Sequence, residues 1–521
     1  MRDEYLAGRE FELKFEVDDA QLRRLRSKRV LDQIAVGRAS NKKLRSIYFD
    51  TADHSLRANG LSLRVRRVRN AWVQTLKFDH QFKSGLSQPV EIEQSIPGAS
   101  PDIARLNVTN LPQSLWQILK KVNLEPVFET IISRTTRQLR TKDGSCVEIA
   151  FDSGAACAGD NSVPIYEVEL ELKSGVPSAV FHVARTLIDT EAMRFADGTK
   201  AERGYRLANC EKSKPVPPAG HVLPRLKKKD SAEDVFRALL RACHEQTSHN
   251  WKVLTVSSHH EGLHQFRIGL RRLRSVLDGF EELLDGKTLN SLQKDAGDLA
   301  RLAGALRDAD VLVDETVGPV AKANPAEPQL MALGAALQTE RESVRMRVLG
   351  ELKDGRTEKF LLKLAEFLEG EHVFARKKST KLPSAKAIAR TALKKSWRRV
   401  QQRGKRIADL EIEERHAMRK ALKRFRYQFE AFAQLFPDQN PKGLQKKLKP
   451  LQEAFGYLND VAMAEQLRQL NHDKSQDVAT LAGASEFVLG WHAARAEQSW
   501  QNARALWTSL DRAKRKWNAR D

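Results

Sequence analysis

The stretch Glu10-Phe11-Glu12-Leu13-Lys14 carries an ionisable side chain at every second position. Successive side chains of a β-strand point to opposite faces. Glu10, Glu12 and Lys14 then share one face, and Phe11, Leu13 and Phe15 the other. The charged face must look at water, a metal or a highly charged ligand. Alone, the stretch also reads as an edge strand with a solvated face. The pattern recurs, however. Tyr166–Leu172 sets Glu167, Glu169 and Glu171 against Val168, Leu170 and Leu172. Arg64 and Arg66 alternate with Leu63 and Val65, Thr75 and Lys77 share a face, and so do Glu91 and Glu93. Arg134 and Arg137 lie in a further segment, and Asp152 follows Cys146–Phe151. Carboxylates suit hard divalent cations such as Mg²⁺ or Mn²⁺. Arginine and lysine suit phosphate oxygens. A surface offering both suits a metal-bound polyphosphate.

These residues need a particular scaffold. In an ordinary core each carboxylate would repel its neighbours and lose its hydration. A barrel of roughly eight strands leaves room for a small ligand inside, with the apolar faces turned outward beneath helices. The remaining elements agree. Asp18–Arg29 reads as an amphipathic helix carrying Leu22 and Leu25, and Leu44–Asp50 as a strand ending in a turn at Thr51. Pro101–Asn123 and Ser178–Thr190 read as helices, and Lys200–Tyr205 closes the unit.

Glu10-x-Glu12-x-Lys14 resembles the signature of the CYTH family, the triphosphate tunnel metalloenzymes. The match extends through Tyr48-Phe49-Asp50-Thr51, Leu61–Arg66, Lys77, Glu167-x-Glu169-x-Glu171 and Lys200-x-x-Arg203-Gly204-Tyr205. The resemblance implies an eight-stranded antiparallel β-barrel tunnel that hydrolyses or cyclises triphosphates. It implies that Lys14, Arg64, Arg66, Lys77, Arg134, Arg137, Lys200 and Arg203 grip phosphate. It gives Glu10, Glu12, Asp152, Glu169 and Glu171 to one or two Mg²⁺ or Mn²⁺ ions, and catalytic roles to Lys14, Glu169 and Glu171. In one departure, Pro89 stands where family members often carry a base, which leaves the choice of substrate open.

At 521 residues the chain should form at least two domains. Four prolines among basic residues between Lys212 and Asp230 mark a semi-rigid connector. The expected division is a domain at 1–212, a linker at 213–230 and a second domain at 231–521. No apolar run is long enough to span a bilayer. The opening Met1-Arg2-Asp3-Glu4-Tyr5 is unlike a signal peptide. Cys146, Cys157, Cys210 and Cys243 show neither metal-site spacing nor disulfide density. A cytoplasmic protein is expected. The net charge is +22, and residues 1–212 hold 33 basic and 28 acidic side chains of the 89 and 67 in the chain. The remainder therefore carries 56 against 39, a balance that suggests a polyanionic partner.

From Ser231 onward the pattern is helical, with Ser231 a plausible N-cap. His264, Arg267, Arg271 and Arg274 are spaced 3, 4, 3 and form one stripe, beside an apolar stripe of Leu263, Phe266, Leu270, Leu273 and Leu277. The array returns 152 residues later as His416, Arg419, Lys423 and Arg426, with Arg424 answering Arg272. Gly304-x-Leu306-Arg307-Asp308 and Gly456-x-Leu458-Asn459-Asp460 keep the same offset. Two motifs at one offset argue for a duplicated helical unit, about 231–380 and 381–521. These residues resemble the CHAD family, which implies two four-helix bundles around a basic pore that binds inorganic polyphosphate. A metal held by the two histidines is the weaker reading, because the charges around them are cationic.

The expected protein is thus a two-domain α+β chain. The reaction implied by the resemblance, close to bacterial CYTH-CHAD inorganic triphosphatases, is metal-dependent hydrolysis of inorganic triphosphate to pyrophosphate and phosphate. Rival readings are an enzyme for an organic triphosphate (a nucleoside or thiamine triphosphatase, or an adenylate cyclase) and a non-catalytic adaptor at polyphosphate granules. Neither a membrane nor a specific nucleic acid is expected as partner, since no nucleic-acid motif accompanies the charge.

Overall fold

The computed structural model describes residues 10–518 except 69–70, 79–81, 84, 107–110, 121–122, 197, 210–215, 228, 258, 371–372, 375–381, 440 and 471–477. The chain divides into two compact units, Met1–Val216 with Gly355–Gly370, and Pro217–Asp354 with Glu371–Asp521.

The first unit is built on one antiparallel sheet. Its strands are β1 (Glu12–Glu16), β2 (Ala35–Asp50), β3 (Ser62–Val68), β4 (Ala71–Phe78), β5 (Phe82–Lys83), β6 (Leu86–Ser87), β7 (Val90–Ile96), β8 (Glu125–Arg140), β9 (Cys146–Ala158), β10 (Asn161–Ser174) and β11 (Arg194–Phe195). The order is β5-β6-β1-β10-β9-β8-β2-β3-β4-β7, with β11 also on β1. Eight long strands therefore carry the sheet, as the alternation implies, and three two-residue strands bring the count to eleven. Two residues are too few to show a period of two, so the sequence hides them. The sheet curls into a half-barrel rather than closing. The second edge of β1 is occupied by β6, with Glu12 opposite Ser87, and by β11, with Phe15 opposite Phe195. Among the described residues no ladder joins β1 to β7. The two approach through the Glu10 N–H, which donates to the Pro89 carbonyl at 3.2 Å.

The outward faces make the core. Phe11, Leu13 and Phe15 join Val168 and Leu170 of β10. Over them lie α1 (Asp19–Arg26), contributing Leu22 and Leu25, and α2 (Ser178–Ile188), contributing Phe181 and Leu187. The rings of Phe11 and Phe181 meet edge-on at 5.9 Å. The Asp50 carboxylate is wholly buried. It accepts from the N–H groups of Thr51, Leu56 and Arg57 and from the Tyr205 hydroxyl at 2.7 Å. The Tyr48–Thr51 motif thus ends β2 and ties it to α3 (Lys200–Ala208). Pro101–Asn123 is less helical than its sequence suggests, with one short turn at Ile103–Arg105 and a helix at Gln113–Leu119 among the described residues.

The second unit is all-helical among its described residues. Four long helices, α4 (Ala232–Val256), α5 (His260–Gly279), α6 (Gly286–Asp310) and α7 (Pro328–Leu352), precede α8 (Arg356–Glu369), which belongs to the first unit. Four more long helices follow, α9 (Ala385–Gly404), α10 (Ile412–Phe432), α11 (Pro441–Ala464) and α12 (Val478–Asn518), and the short helices Gly318–Ala323 and Leu467–Leu470 lie between them. Ser231 caps α4, accepting from the Asp234 N–H, and Ser384 caps α9. The apolar stripe of α5 is buried, and so are Met418, Leu422, Phe425 and Phe429 of α10. Those four stand 152 residues beyond Phe266, Leu270, Leu273 and Leu277. Arg307–Asp310 lies at the end of α6, and the chain continues through a π-helical segment, Val311–Val317.

Within the first unit α8 lies on the sheet's helical cover. Leu362 and Ala365 join the core of Phe181 and Leu187. Arg185 pairs with Glu366 at 2.9 Å and Lys359 with Asp189 at 2.9 Å. Leu362 is wholly buried. Leu362→Ala is expected to cost about 2–5 kcal/mol, read as a lowered urea midpoint of the full chain. Met346→Ala, at a side chain 69% exposed, should leave the midpoint in place. Equal midpoints for the two variants would refute the docking of α8.

Candidate functional site

Strand register brings the inward side chains together. Lys14 lies opposite Glu169 and Glu12 opposite Glu171 across β1 and β10. Asp152 of β9 faces Glu167 on one side and Arg134 of β8 on the other. Arg64 faces Tyr48, and Lys77 faces both Ser62 and Glu91. The curled sheet and the start of α3 enclose a cavity of about 140 Å³. Six carboxylates (Glu10, Glu12, Glu91, Asp152, Glu169, Glu171) and six cations (Lys14, Arg64, Arg66, Lys77, Arg134, Lys200) line it.

At one end Glu169 is held by Lys14 at 3.1 Å, by Lys200 at 2.8 Å and by Arg134. Burial opposes its charge, yet these three cations keep its pKa well below the usual carboxylate range. Asp152 is likewise buried and kept low by Lys200, at 2.9 Å, and by Arg134, at 2.6 Å. Burial would lower the Lys14 pKa, but Glu12 and Glu169 hold it well above the usual lysine value. Carboxylate oxygens of Asp152, Glu167 and Glu169 lie within 4.8 Å of one another.

The other end is less fully neutralised. Burial lifts Glu10 to about 7 against the pull of Lys77, which pairs with it at 3.1 Å. Burial also raises Glu171, although Lys173 sits 2.6 Å away. Glu91 is drawn down to about 2, because Lys77 and Arg64 outweigh its burial. Arg66 stands apart. Its Nε donates to Ser46 Oγ at 2.8 Å, and among the described residues it makes no ion pair. Burial and the neighbouring Arg64 push it down to about 10. Burial would raise the Tyr48 hydroxyl, but Arg64 and Arg66 pull it below the usual phenol value. The site therefore has a surplus of positive potential around Tyr48, Arg64 and Arg66.

Lys200 and Arg203 share a face of α3, whose N-terminus Thr199 and Glu202 cap reciprocally. Gly204 lets that helix approach. A Cβ there would stand 2.0 Å from the Phe128 ring. Arg203 pairs with Glu16 at 2.6 Å and Glu167 at 2.7 Å, and Arg137 with Asp32 at 2.7 Å; neither lines the cavity. Sequence reasoning passed over Glu91, Glu167 and Tyr48 as site residues. The first two share the alternation of their strands, so the signal was present. Tyr48 sits in a motif whose acid, Asp50, serves the fold.

In the second unit the two cationic stripes converge. Arg267 and Arg271 of α5 come within electrostatic reach of Arg419 and Lys423 of α10. Burial, then Arg419, Arg271 and Arg267, push Lys423 down to about 6, with Asp460 opposing. Burial and Arg271 take Arg267 down to about 10, against Asp308. Arg419 is lowered by burial although Asp460 lies 3.4 Å away. His264 is lowered by burial and Arg307, and exposed His416 contacts the Asn459 side chain. The other stripe residues are spent on structure. Arg272 and Arg426 pair with Glu430 at 2.7 and 2.6 Å, Arg424 with Asp278 at 3.1 Å, and Arg274 donates to Gln293 at 3.1 Å. Thus Arg272 and Arg424 tie α5 to α10 and position the four clustered cations.

A curled sheet enclosing paired carboxylates and cations is followed by a helical domain with a duplicated cationic array. Residues 8–205 match the CYTH domain family and residues 238–469 the CHAD domain family. The chain is a CYTH domain followed by a CHAD domain. It is similar to an inorganic triphosphatase of Haemophilus influenzae, 33% identical over 174 residues, which cover 32% of this chain and 47% of that protein. The match thus spans about half of that relative's length. An uncharacterized protein of Mycobacterium tuberculosis is 24% identical over 94% of this chain and 93% of its own. A crystal structure of the CHAD domain from the plant Ricinus communis aligns with 56% of this chain and 97% of that one, at TM-score 0.49 and 27% identity. No helix among the described residues is long and apolar enough to cross a membrane.

Proposed function

We propose that the cavity of the first unit hydrolyses inorganic triphosphate to pyrophosphate and phosphate with a divalent cation, and that the clustered cations of the second bind inorganic polyphosphate. The observation that carries this reading is the cavity lining, with six carboxylates and six cations from the curled sheet and the start of α3, and with Arg66 making no ion pair among the described residues. The H. influenzae relative's activity supports the triphosphate half. The domain organisation belongs to the same proposal, with the catalytic part at 1–212, a connector at 213–230 and the polyphosphate-binding part at 231–521.

The all-oxygen donor set fits Mg²⁺ or Mn²⁺. Asp152, Glu167 and Glu169, with Glu10, Glu12 and Glu171, would hold it, and it would neutralise phosphate charge and acidify a bound water. The chain's own residues then divide the remaining work. Arg64 and Arg66 hold phosphate oxygens beside the Tyr48 hydroxyl. Lys14, Arg134 and Lys200 keep the carboxylates ionised and oriented. Tyr48 is the single aromatic among the lining residues, which gives a nucleobase little to stack on and favours an inorganic substrate.

Phosphate release from triphosphate, ATP and long-chain polyphosphate, each with Mg²⁺ and with Mn²⁺, tests the reading. Triphosphate should be turned over fastest, and equal rates on ATP would overturn the inorganic assignment. In metal-free protein, Arg66→Ala should weaken triphosphate binding about tenfold or more, the scale of one charge-assisted hydrogen bond, ~1.5–3 kcal/mol. Arg64→Ala should act in the same direction. Calorimetric titration reads both, and affinities equal to that of the unaltered chain would remove these arginines from the site.

A further inference from the structure

Strand β2 outruns the strand on one side of it. β8 pairs with it from Ala35 to Asp50, but β3 covers only Ser46–Phe49. Among the described residues no strand pairs with that edge from Ala35 to Arg45, and Val36–Lys43 are exposed. The wall of the curled sheet is therefore open here. The open stretch is still held in place. Its pairing with β8 runs without a bulge from Ser40 to Tyr48, and the Thr135 hydroxyl donates to the Asn41 side chain at 2.7 Å.

Tyr48 and Leu44 line the cavity, and Ser46 between them accepts from Arg66. A period of two places Lys42 on the same inward face, one step beyond Leu44 and at the opening. Its cross-strand partner is Arg134, itself a lining residue. Like charges on neighbouring strands repel. The acids near Arg134 do not relieve Lys42, since Asp152 and Glu169 are already shared between Arg134 and Lys200. Among the described residues Lys42 makes no ion pair. An exposed lysine beside a second cation, at the opening of a cavity that carries more, is arranged for an anion arriving from solvent. A phosphate oxygen between Lys42 and Arg134 would end their repulsion and gain a charge-assisted contact from each.

We propose that Lys42 captures triphosphate at the opening beside β2 and holds its outer phosphate against Arg134. This role rests on the triphosphate reading of the cavity and adds to it a residue outside the cavity lining. Lys43 supplies the control, since it is the next residue, also exposed, and on the outer face opposite Ser133. Reversing either lysine changes the net charge equally, so a difference between them reports contact and not the field of the whole protein. The test is calorimetric titration of the metal-free full chain with triphosphate at about 0.15 M salt, where the screening length is about 8 Å. Lys42→Glu should weaken binding at least fivefold. Lys42→Arg and Lys43→Glu should each stay within twofold of the unaltered chain. With Mg²⁺ or Mn²⁺ present, kcat/KM for phosphate release should fall at least fivefold in Lys42→Glu, with most of the change in KM, because the residue grips substrate and stands outside the carboxylate set. Equal losses in Lys42→Glu and Lys43→Glu, unchanged affinity in Lys42→Glu, or Lys42→Arg as weak as Lys42→Glu would each overturn the assignment. Triphosphate turnover by the unaltered chain would then leave the reading of the cavity standing. A chain that neither binds nor hydrolyses triphosphate overturns both.

Discussion

Glu169→Gln is expected to lower triphosphate turnover by roughly 10²–10³-fold at saturating metal, the range seen when one preorganised electrostatic group is removed from an active site. The carboxylate is the hub of its end of the cavity, because Lys14, Lys200 and Arg134 all converge on it. It also belongs to the trio with Asp152 and Glu167. The amide keeps the volume and one acceptor but removes the charge. Three buried cations then share one acid fewer, and the trio loses a hard oxygen anion. Glu171→Ala should also lower turnover, from the less neutralised end. Phosphate release measured beside circular dichroism separates chemistry from unfolding. Turnover within threefold of the unaltered chain, at saturating Mg²⁺ or Mn²⁺, would sink the assignment.

The double reversal Arg271→Glu with Lys423→Glu is expected to weaken long-chain polyphosphate binding at least 10²-fold near physiological salt. Binding of a linear polyanion is driven largely by counterion release, with a salt slope of roughly 0.7–0.9 per neutralised charge by analogy with nucleic acids. The double variant should therefore also show a shallower slope. Reversals at the exposed Arg504 and Arg512 of α12 are the control and should cost much less. Lys514 would be a poor control, since it is buried. The effect has a pH signature of fixed sign. Without polyanion, burial and then Arg419, Arg271 and Arg267 push Lys423 down to about 6, and Asp460 only partly compensates. A polyanion favours the charged ammonium and raises that value, so binding takes up a proton. Affinity should then rise as pH falls toward 6 and level off below it. His264, held below the usual histidine value by burial and Arg307, adds with the same sign. Lys423→Met should flatten the profile. Affinity independent of pH between 8 and 6, or a loss as large in the α12 control, would remove the cluster from the polyphosphate site.

Much of this was legible in the chain itself. A period of two across Glu10–Lys14, Leu63–Arg66 and Glu167–Leu172 states which side chains share a face, and steric alternation leaves the backbone no other arrangement. The 152-residue offset carries four of the five apolar stripe residues of α5 onto Met418, Leu422, Phe425 and Phe429, and those residues are buried as their counterparts are. Periodicity names a face but never a neighbour. Only the register decided that Asp152 meets Arg134 and Glu167, and only tertiary packing that Arg137 and Arg203 find acids outside the cavity lining. Only the folded sheet showed β6 and β11 taking the edge of β1, which leaves a curl instead of a closed barrel. The apolar face of α8 could serve any core, and its place beside α2 was decided by the surface available there. Which stripe cations cluster and which are consumed by Glu430 and Asp278 depends on how α5 and α10 cross. Pairing and crossing are long-range choices made by whole-surface packing, and local spacing does not encode them.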